Sequence, residues 1–424
     1  MDIYIVKSGD TIFSIAQEYG TSPQRLIADN GLFGLPNLVV GQSLIILKPT
    51  LLHTVQAGET LFSISEIYGT NPLRLILNNP YLIFSYPRPG EILAIEFDNQ
   101  TDKQMNVFGY VYPFINQNLL NVQSAYSTSV AVFSYGFNTD GTLITTNDEL
   151  VLPTIKRWNA SPIVVLSSIE QNGNFQIEKT RVLFNDIGVQ NTVINNMLSL
   201  MQDKGYTGID LDFEFINPDD RDAYTAFVRN VRDTMSQYGY TVNVDLAPKI
   251  SDTQQGTLYE GHNYTQLGIE SDTVLLMTYE WGYTYGPPLA VAPVNKVREV
   301  VEYAVSSIDN EKIFLGIPNY GYDWLLPYAK GVTVADSIGN ETAIRIAQRY
   351  GAEIKFDDAS KSPFFNYYDE SGRQHEVWFE DVRSIEAKYG LIDEFSLKGA
   401  GYWNYMRSFS QNWAYVNSKY RIIK

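Results

Sequence analysis

The chain contains no cysteine and only three histidines among its 424 residues. Disulfides and thiolate-bound metals are therefore excluded, and a zinc site would have to take most of its ligands from carboxylates, which is uncommon. Basic residues are also scarce, because 31 Lys and Arg stand against 48 Asp and Glu, for a formal net charge of −17. Proteins that bind nucleic acids carry basic patches. We accordingly expect no nucleic acid partner, no metal site and no cofactor.

Long apolar runs are missing too. No segment reaches the roughly 18 apolar residues of a membrane-spanning helix, and the start MDIYIVKSGD lacks the basic start and apolar run of a secretory signal. These absences predict a protein without a membrane span that is made in the cytosol. Aromatic residues, by contrast, are abundant, with 30 Tyr, 21 Phe and 6 Trp. This composition suits a carbohydrate ligand, because aromatic rings stack on sugar faces, although such residues more often fill cores.

Two stretches near the N-terminus repeat one another. Residues 4–47 begin YIVKSGDTIFSIAQEYG, residues 53–95 begin HTVQAGETLFSISEIYG, and the two align without a gap at an offset of 49 residues. In each, apolar residues recur with helical spacing after the Asp-Thr or Glu-Thr pair, and a later Ser-Pro or Asn-Pro pair marks the start of a second helix. Each unit is thus predicted to fold as strand, helix, helix, strand.

The repeats resemble LysM domains, which are βααβ modules that bind glycans containing N-acetylglucosamine. The resemblance covers domains at 1–48 and 52–96, and it implies a sugar groove between the loop after the first strand and the loop after the second helix. The residues that it places at these grooves are Gly9, Asp10, Thr11 and Asn30 in the first repeat and Gly58, Glu59, Thr60 and Asn79 in the second. The Asp, Glu and Thr residues among them are equally suited to a simpler role as helix caps.

From about residue 105 onward, short apolar runs alternate with segments of helical periodicity. Eight such runs occur, and they read VFGYVYPF, VAVFSYGF, PIVVLSS, GIDLDFEF, TVNVDLAP, TVLLMTYEW, KIFLGIPNYGYDW and GAGYWNYM. Eight successive β-then-α units predict a single α/β domain, a (β/α)8 TIM barrel over residues 104–424. The long gap before the eighth run predicts a small α+β insertion at about 326–395.

The fourth run, GIDLDFEF at 208–215, has one apolar face and one acidic face. Its acidic residues are Asp210, Asp212 and Glu214, and because residues two apart in a strand share a face, these carboxylates are expected to point together into the barrel. The apolar residues at 209, 211, 213 and 215 are expected to pack outward under the helices. Closely spaced carboxylates cannot all ionise, so at least one should stay protonated near neutral pH and be able to act as a general acid.

Three other uses of this acidic face are compatible with its composition. A calcium loop would need a glycine at its sixth position, where Phe215 stands. A divalent metal could be held directly by the three carboxylates. A purely structural buried network would be costly without a basic partner, and no Lys or Arg lies nearby in sequence. Hydrolysis of a glycosidic bond accounts for the pattern best.

The same run is similar to the D-x-x-D-x-D-x-E signature of glycoside hydrolase family 18. Two further stretches, LMTYEWG and GYWNY, resemble the family's motifs on strands six and eight. The resemblance covers about 105–420. It implies a retaining reaction in which the substrate's own acetamide oxygen, rather than a protein carboxylate, is the nucleophile.

Carried onto this sequence, the resemblance implies a role for each matching residue. Glu214 would protonate the glycosidic oxygen. Asp212 would hold the substrate's N-acetyl group and share a proton with Asp210 or Glu214. Tyr279 would hydrogen-bond the acetamide carbonyl, and Trp403 would form the floor of the −1 sugar site.

Three positions depart from the family pattern. Thr207 replaces the first Asp of the signature, Glu280 replaces the strand-six Asp, and the strand-three S-x-G-G motif reads SSIE, which keeps Ser167 and ends at Glu170. The loss of the two glycines alters the predicted wall of the cleft. The family resemblance therefore does not by itself imply that chitin is the substrate. Further candidates for sugar contacts lie at the carboxyl ends of the predicted strands; with Ser167 and Glu280, they are Met277, Tyr110, Asn319, Tyr320, Trp281 and Trp324.

Two LysM-like repeats ahead of a family 18 barrel, in a chain without cysteine or an export signal, resemble bacterial spore cortex-lytic enzymes. The resemblance implies an N-acetylglucosaminidase that cleaves the β-1,4 bond after N-acetylglucosamine in cortex peptidoglycan or its fragments. It also implies a location in the spore coat or cortex, reached from the mother-cell cytosol. We expect a monomer with peptidoglycan as its partner, in which the repeats keep the enzyme on its substrate. Deleting residues 1–96 should then weaken attachment to insoluble wall and spare hydrolysis of small soluble fragments. A chitinase and an inactive, lectin-like wall-binding protein are the alternatives.

Overall fold

Each repeat forms a two-stranded antiparallel sheet covered by two helices. The structure, a computed structural model, describes residues 1–169 and 175–424. The repeats comprise β1 (Asp2–Ile5), α1 (Ile12–Tyr19), α2 (Pro23–Asp29), β2 (Ser43–Ile46), β3 (Pro49–Thr54), α3 (Leu61–Ile67), α4 (Pro72–Asn78) and β4 (Ile92–Phe97). Thr11 and Thr60 cap α1 and α3 through reciprocal hydrogen bonds with a serine three residues on. Proline occupies the first turn of α2 and α4, as the repeat pattern predicts.

The remaining elements alternate between strands and helices. In chain order they are β5 (Gln104–Val111), α5 (Gln117–Ala125), β6 (Ser129–Phe137), β7 (Leu143–Ile144), α6 (Leu152–Arg157), β8 (Ser161–Ser167), α7 (Ile177–Asn185), α8 (Ile187–Lys204), β9 (Gly208–Asp212), α9 (Arg221–Met235), β10 (Thr241–Leu246), α10 (Tyr264–Glu270), β11 (Thr273–Leu276), α11 (Val294–Val305), β12 (Ile313–Pro318), β13 (Gly321–Leu325), β14 (Asp336–Ile338), α12 (Asn340–Tyr350), β15 (Lys355–Asp357), β16 (Ser362–Tyr368), β17 (Gln374–Trp378), α13 (Val382–Glu394), β18 (Gly399–Trp403), α14 (Ser410–Lys419) and β19 (Arg421–Ile422). Within residues 1–169 and 175–424, no helix is long and apolar enough to cross a membrane.

Eight parallel strands close into a barrel. Hydrogen bonding runs in the order β5, β6, β8, β9, β10, β11, β12 and β18, and β18 pairs back onto β5. The interior is filled by side chains from these strands, which are Phe108, Tyr110, Ala131, Phe133, Ile163, Val165, Leu275, Met277 and Phe314. The predicted (β/α)8 fold is confirmed, and the carboxyl ends of its strands form one common face where a site can be built.

The insertion is a five-stranded antiparallel sheet in the order β14, β13, β17, β16, β15, with α12 packed against it. This sheet begins at Gly321, directly after barrel strand β12, and its last strand ends at Trp378. The helix α13 that follows packs against α11, α14 and β18. It therefore belongs to the helical layer of the barrel, and the α+β insertion lies earlier in the chain than the span of about 326–395 suggests.

The repeats share hydrophobic cores with the barrel and with its insertion. Ile45 and Leu77, one from each repeat, lie in the same core as Tyr126 and Trp413 of the barrel domain. Val39 of the first repeat lies in the core of the insertion. Detaching the repeats would therefore expose apolar surface on both sides of this interface.

Buried amides on α14 add directional contacts across this interface. The Nδ2 atom of Asn417 donates to Asn78 Oδ1 of the second repeat at 2.8 Å. The Nε2 atom of Gln411 donates to Asn30 Oδ1 at 3.0 Å and to the carbonyl of Ser43 at 2.7 Å, both in the first repeat. Since buried polar groups must be paired in one geometry, these bonds fix the orientation of both repeats on the barrel.

Candidate active site

The acidic face of β9 lies at the carboxyl end of the barrel. Asp210 and Asp212 are within the strand, and Glu214 follows two residues after its end. Phe213 is buried under the helical layer, as predicted, whereas Phe215 is 36% exposed with a φ of 55°. The prediction that Phe215 packs outward under the helices is wrong, because the strand has already ended and the backbone turns there. Glu214 thus sits on a turn at the mouth of the barrel.

Neighbouring β10 contributes two polar residues to the same cluster. The Nδ2 atom of Asn243 donates to Asp210 Oδ1 at 2.5 Å and lies 3.3 Å from Asp245 Oδ1. The hydroxyl of Tyr110, on β5 across the barrel, donates to Asp245 Oδ1 at 2.7 Å. The sequence reasoning missed Asn243 and Asp245, although TVNVDLAP alternates apolar and polar residues as β9 does.

Burial raises the pKa values of the carboxyl groups in this cluster. Desolvation raises the pKa of Asp210 to about 6, and desolvation together with repulsion from Glu280 raises the pKa of Glu214 to about 7. Desolvation and the nearby charges of Glu214 and Asp210 hold the pKa of Asp212 well above its usual range. Desolvation and the nearby charges of Asp210 and Asp212 likewise hold the pKa of Asp245 well above its usual range. A carboxyl group that keeps its proton near neutral pH can serve as a general acid.

Two carboxylate oxygens of the cluster have no hydrogen-bond partner among the described residues. Asp210 Oδ2 and Asp212 Oδ1 are buried and have no hydrogen-bond partner, while the hydroxyl of Ser167 hydrogen-bonds the Asp212 carboxyl. Tyr279 packs on the edge of the barrel interior, and burial holds its pKa well above the usual value, so its phenol remains a donor. Met277 is 8% exposed beside it. An amide N–H would satisfy an open carboxylate oxygen, and a carbonyl would satisfy the tyrosine.

Trp403 lies among aromatic rings at the end of β18. Its ring centroid is 5.5 Å from that of Tyr110, 5.0 Å from that of Phe133 and 6.1 Å from that of Tyr112. Tyr112 in turn stacks at 5.3 Å on Phe114, which is 77% exposed. The sequence reasoning missed Tyr112 and Phe114, although VFGYVYPF places an aromatic at alternate positions of one strand face. The half-buried Trp403 therefore presents a rigidly held apolar surface, of the kind that sugar rings stack on.

Glu280 is held in place by two tyrosines. The hydroxyl of Tyr320 donates to Glu280 Oε1, and the hydroxyl of Tyr322 lies 3.1 Å from each Glu280 oxygen. Glu280 has a φ of 68°, a conformation that non-glycine residues keep only where their surroundings fix it. Tyr320 is 5% exposed, so its main contact is Glu280. Tyr322, which the sequence reasoning did not single out, shares this role.

Two residues predicted to contact sugar are buried beneath the cleft. Trp324 is fully buried, and its indole N–H donates to the carbonyl of Gly286 at 2.8 Å. The prediction is wrong for Trp324, because a ring without an exposed face cannot stack on a sugar. Asn319 is 4% exposed and donates to the carbonyl of Arg407 at 2.8 Å, so it braces the segment after β18. Trp281 keeps partial exposure, and its contact with sugar stays a prediction.

Asn30 and Asn79, expected at the glycan grooves of the repeats, are buried instead. They are 5% and 4% exposed. The side-chain amide of each donates to a carbonyl of the preceding helix and to a carbonyl of the second strand of its repeat. The prediction of direct glycan contact is wrong for both, because these amides are used to hold a helix against a strand.

The other groove candidates lie at the surface of the repeats. Gly9 and Gly58 are exposed with φ values of 91° and 89°. Asp10 Oδ2 accepts hydrogen bonds at 2.7 Å from the hydroxyl of Tyr4 and from the backbone N–H of Lys7. Glu59 Oε2 likewise accepts from the backbone N–H of the residue three before it, at 2.6 Å, and lies 2.8 Å from a histidine Nε2. With Thr11 and Thr60 acting as helix caps, these polar side chains already have partners within their own repeat.

Two further positions depart from the family pattern. The hydroxyl of Thr207 donates to the carbonyl of Pro162 at 3.1 Å, before the start of β9 and away from the mouth. Glu170 lies outside the described residues. In the part of the chain that the structure describes, no group of three or more His, Asp or Glu side chains is arranged to hold a metal ion.

Comparison with known proteins places the chain among glycosidases. Residues 101–407 match the model for glycosyl hydrolases family 18, and residues 4–47 and 53–95 match the LysM domain. The chain is 40% identical to the cortical fragment-lytic enzyme of Bacillus subtilis (strain 168), over 100% of this chain and 99% of that protein. It is 39% identical to the protein of the same name from Bacillus anthracis, with the same coverage.

A solved structure shows the same architecture over the full length. The crystal structure of the Bacillus cereus spore cortex-lytic enzyme SleL matches with a TM-score of 0.84 at 36% identity, over 100% of this chain and 98% of that one. The sequence resemblance, the closed barrel and the family match agree. The chain belongs to glycosyl hydrolases family 18 and carries two LysM domains at its N-terminal end.

Proposed function

We propose that this glycoside hydrolase is an N-acetylglucosaminidase that cleaves the β-1,4 bond after N-acetylglucosamine in spore cortex peptidoglycan or its fragments. Family membership supplies the reaction class. Full-length similarity to proteins named cortical fragment-lytic enzymes supports the substrate. The observation that carries the proposal is Glu214, a desolvated carboxyl group with a pKa raised to about 7, at the barrel mouth beside the acidic pair of β9.

The proposed reaction begins with proton transfer from Glu214 to the glycosidic oxygen as the bond to the anomeric carbon breaks. The acetamide oxygen of the same sugar attacks that carbon and forms an oxazolinium-like intermediate, so the protein supplies no nucleophile. The deprotonated Glu214 then takes a proton from water as the water opens the intermediate. Two inversions leave the anomeric configuration retained.

The remaining residues position the acetamide and share its charge. Asp212 offers its open oxygen to the acetamide N–H, which aligns the carbonyl for attack and stabilises the developing positive charge. The phenol of Tyr279 donates a hydrogen bond to the acetamide oxygen. Trp403 forms the floor under the sugar ring. Asp210 and Asp245, both with raised pKa values, can hold protons beneath Asp212 as its charge changes during the cycle.

Because the sugar before the cleaved bond must carry an acetamide, the mechanism also supports cleavage after N-acetylglucosamine. A muramic δ-lactam has no acetamide with which to attack, so cleavage after that sugar is not available to this mechanism. N-Acetylmuramic acid does have an acetamide, and the mechanism alone therefore permits cleavage after it. Glu280, longer by one methylene than the aspartate of the family motif and held by Tyr320 and Tyr322, is proposed to contact the reacting or the adjacent sugar.

We further propose that the LysM domains bind the same glycan and that the protein acts as a monomer in the spore coat or cortex. The LysM matches support glycan binding, and the names of the relatives support the location. The repeats are fixed on the barrel by shared cores. A glycan bound by a repeat would therefore be held at a set distance and orientation from the catalytic cleft.

The test is mass spectrometry of borohydride-reduced products from purified spore peptidoglycan, with Glu214→Gln as the blank. New reduced ends on N-acetylglucosamine are expected with the wild-type protein and not with the variant. Reduced muramic acid in their place would make the protein a muramidase. No new ends from either intact cortex or pre-cut fragments would contradict the proposed activity.

A further inference from the structure

Glu214 lies on a turn that belongs to neither β9 nor α9. Residues 213–217 form no helix or strand, so no ladder of backbone hydrogen bonds fixes this part of the chain. Phe213 directly before Glu214 and Ile216 two residues after it are nevertheless buried, at 0% and 1% exposure. The position of the Glu214 carboxyl group therefore depends on what packs against the two sides of the turn.

Two consecutive residues of the loop after β10 contact the turn on either side of Glu214. Gly261 lies against Ile216, since an added Cβ atom would be 2.4 Å from Ile216 Cβ and 2.9 Å from its carbonyl oxygen. The next residue, His262, is fully buried, and its imidazole meets the backbone carbonyl of Phe213. That carbonyl belongs to the planar peptide group that leads into Glu214. A shift of the loop would thus move the backbone of Glu214.

A buried lysine holds this loop together. The side chain of Lys249 is 0% exposed, and its ammonium donates to the carbonyl of His262 at 2.9 Å and to the carbonyl of Asp252 at 3.3 Å. The backbone N–H of Lys249 donates at 3.1 Å to the hydroxyl of Tyr264, which in turn donates to the carbonyl of Ala247 at 2.5 Å. Because burying an ammonium is costly unless fixed acceptors replace its water, these carbonyls are held in one arrangement.

The imidazole next to this ammonium carries no charge. Burial and the nearby charge of Lys249 lower the pKa of His262 to about 3. Its Nδ1 accepts from the backbone N–H of Ala247 at 3.4 Å, which leaves the proton on Nε2. No full hydrogen bond to Nε2 forms among the described residues, so the contact with the carbonyl of Phe213 is a long one. The loop therefore holds the turn mainly through the packing of Gly261 and through the anchor at Lys249.

We propose that Lys249 is a positioning residue for the general acid. By fixing the carbonyl of His262, its ammonium seats Gly261 and His262 against the two sides of the turn and so sets where the Glu214 carboxyl group meets the glycosidic oxygen. A misplacement of about 1 Å at a reacting group can cost ~10²-fold in rate. This inference rests on the role of Glu214 in the proposed function and adds the residues that keep it in place.

The experiment compares kcat/KM of full-length protein on two substrates. Soluble cortex fragments have a leaving sugar that must be protonated, whereas a dinitrophenyl glycoside of N-acetylglucosamine releases a phenolate that needs no proton. Lys249→Met keeps the length of the side chain and removes its charge. It should lower kcat/KM about tenfold on the fragments, through kcat with KM unchanged, and less than about twofold on the aryl glycoside. A merely structural defect would lower both values alike.

Gly261→Ala and Gly268→Ala form a matched pair that also serves if Lys249→Met does not fold. A Cβ atom at Gly268 on α10 would be 2.8 Å from Ile308, so both changes crowd an isoleucine, but only Gly261 contacts the turn. Gly261→Ala should reproduce the selective loss on the fragments, and Gly268→Ala should leave the ratio of the two kcat/KM values unchanged. Melting temperatures of all variants report whether they are folded.

Glu214→Gln calibrates the comparison, because it should lose activity on the fragments and largely keep it on the aryl glycoside. If it does so while Lys249→Met and Gly261→Ala lose activity equally on both substrates, or on neither, the inference alone is overturned. If Glu214→Gln itself shows no such selectivity, the role of Glu214 in the proposed function is contradicted together with the inference.

Discussion

Gly41 and its counterpart Gly90 allow a matched test of how firmly the first repeat is held by the barrel domain. Both have positive φ values, 83° and 88°, at the same position of the two repeats. A Cβ atom at Gly41 would lie 1.8 Å from the carbonyl oxygen of Ile354 in the insertion, whereas one at Gly90 would meet nothing within 4 Å. Gly41→Ala must therefore force two backbones apart, and Gly90→Ala need not.

The two substitutions share one cost and differ in another. Each places an alanine in a left-handed conformation, which costs about 1–2 kcal/mol. Gly41→Ala also breaks the 3.0 Å hydrogen bond from the N–H of Ile354 to the carbonyl of Val40, a loss of about 1 kcal/mol. It further draws Val39 out of the insertion core, for up to about 2 kcal/mol. We expect Gly41→Ala to lower the free energy of unfolding by about 1–3 kcal/mol more than Gly90→Ala.

The assay is guanidinium unfolding of both variants and the wild type, followed by tryptophan fluorescence and far-ultraviolet circular dichroism. Limited proteolysis should in addition release the first repeat from Gly41→Ala sooner than from Gly90→Ala, because the detached repeat opens more often. Equal losses of stability in the two variants would refute the reasoning, since they would mean that the contact with Ile354 does not hold the repeat.

Three further predictions concern the site and the domains. Glu214→Gln should lower the rate at least ~10²-fold, as expected for a lost general acid. Because the folded pKa of about 7 lies above the usual 4.5, wild-type stability should also fall as pH rises through that window. The variant, followed by thermal melting against pH, should show a smaller fall, since Asp210, Asp212 and Asp245 keep their raised pKa values, and a fall as large as that of the wild type would contradict the raised pKa of Glu214. Glu280→Gln removes a charge that raises the pKa of Glu214, so the alkaline limb of kcat/KM should move to lower pH, and an unmoved limb would remove Glu280 from that role. Deletion of residues 1–96 should lower the melting temperature of the barrel and promote aggregation, and a truncated barrel that melts like the full chain would show that the shared core contributes little.

The fold was largely predictable because the sequence repeats simple periodic patterns. The LysM units were found by aligning the sequence with itself, and the acidic face of β9 was found from the rule that side chains two apart share a strand face. The same rule could have found Asn243 and Asp245 on β10. They were missed because one Asp and one Asn on a strand do not by themselves indicate a charged cluster. The cluster becomes evident only when β10 is seen to pair with β9.

The misplaced candidates were those whose role depends on distant residues. Trp324 comes soon after barrel strand β12 in sequence, but it belongs to β13 of the insertion, where it is buried and its indole N–H donates to the carbonyl of Gly286. Asn30 and Asn79 occupy the right loops, yet their side chains turn inward to strands some fifteen residues away. Sequence spacing gives the position of a residue along an element and leaves open which neighbour covers it.

The sequence by itself determined the elements of this protein, the acidic face of its fourth barrel strand and the family to which it belongs, because periodicity and short motifs are local properties of the chain. Tertiary structure alone decided that the repeats are fastened to the barrel, that Tyr320 and Tyr322 hold Glu280, and that desolvation raises the pKa of Glu214. Burial and hydrogen bonding between residues far apart in sequence set these features, and they exist only once the barrel has closed.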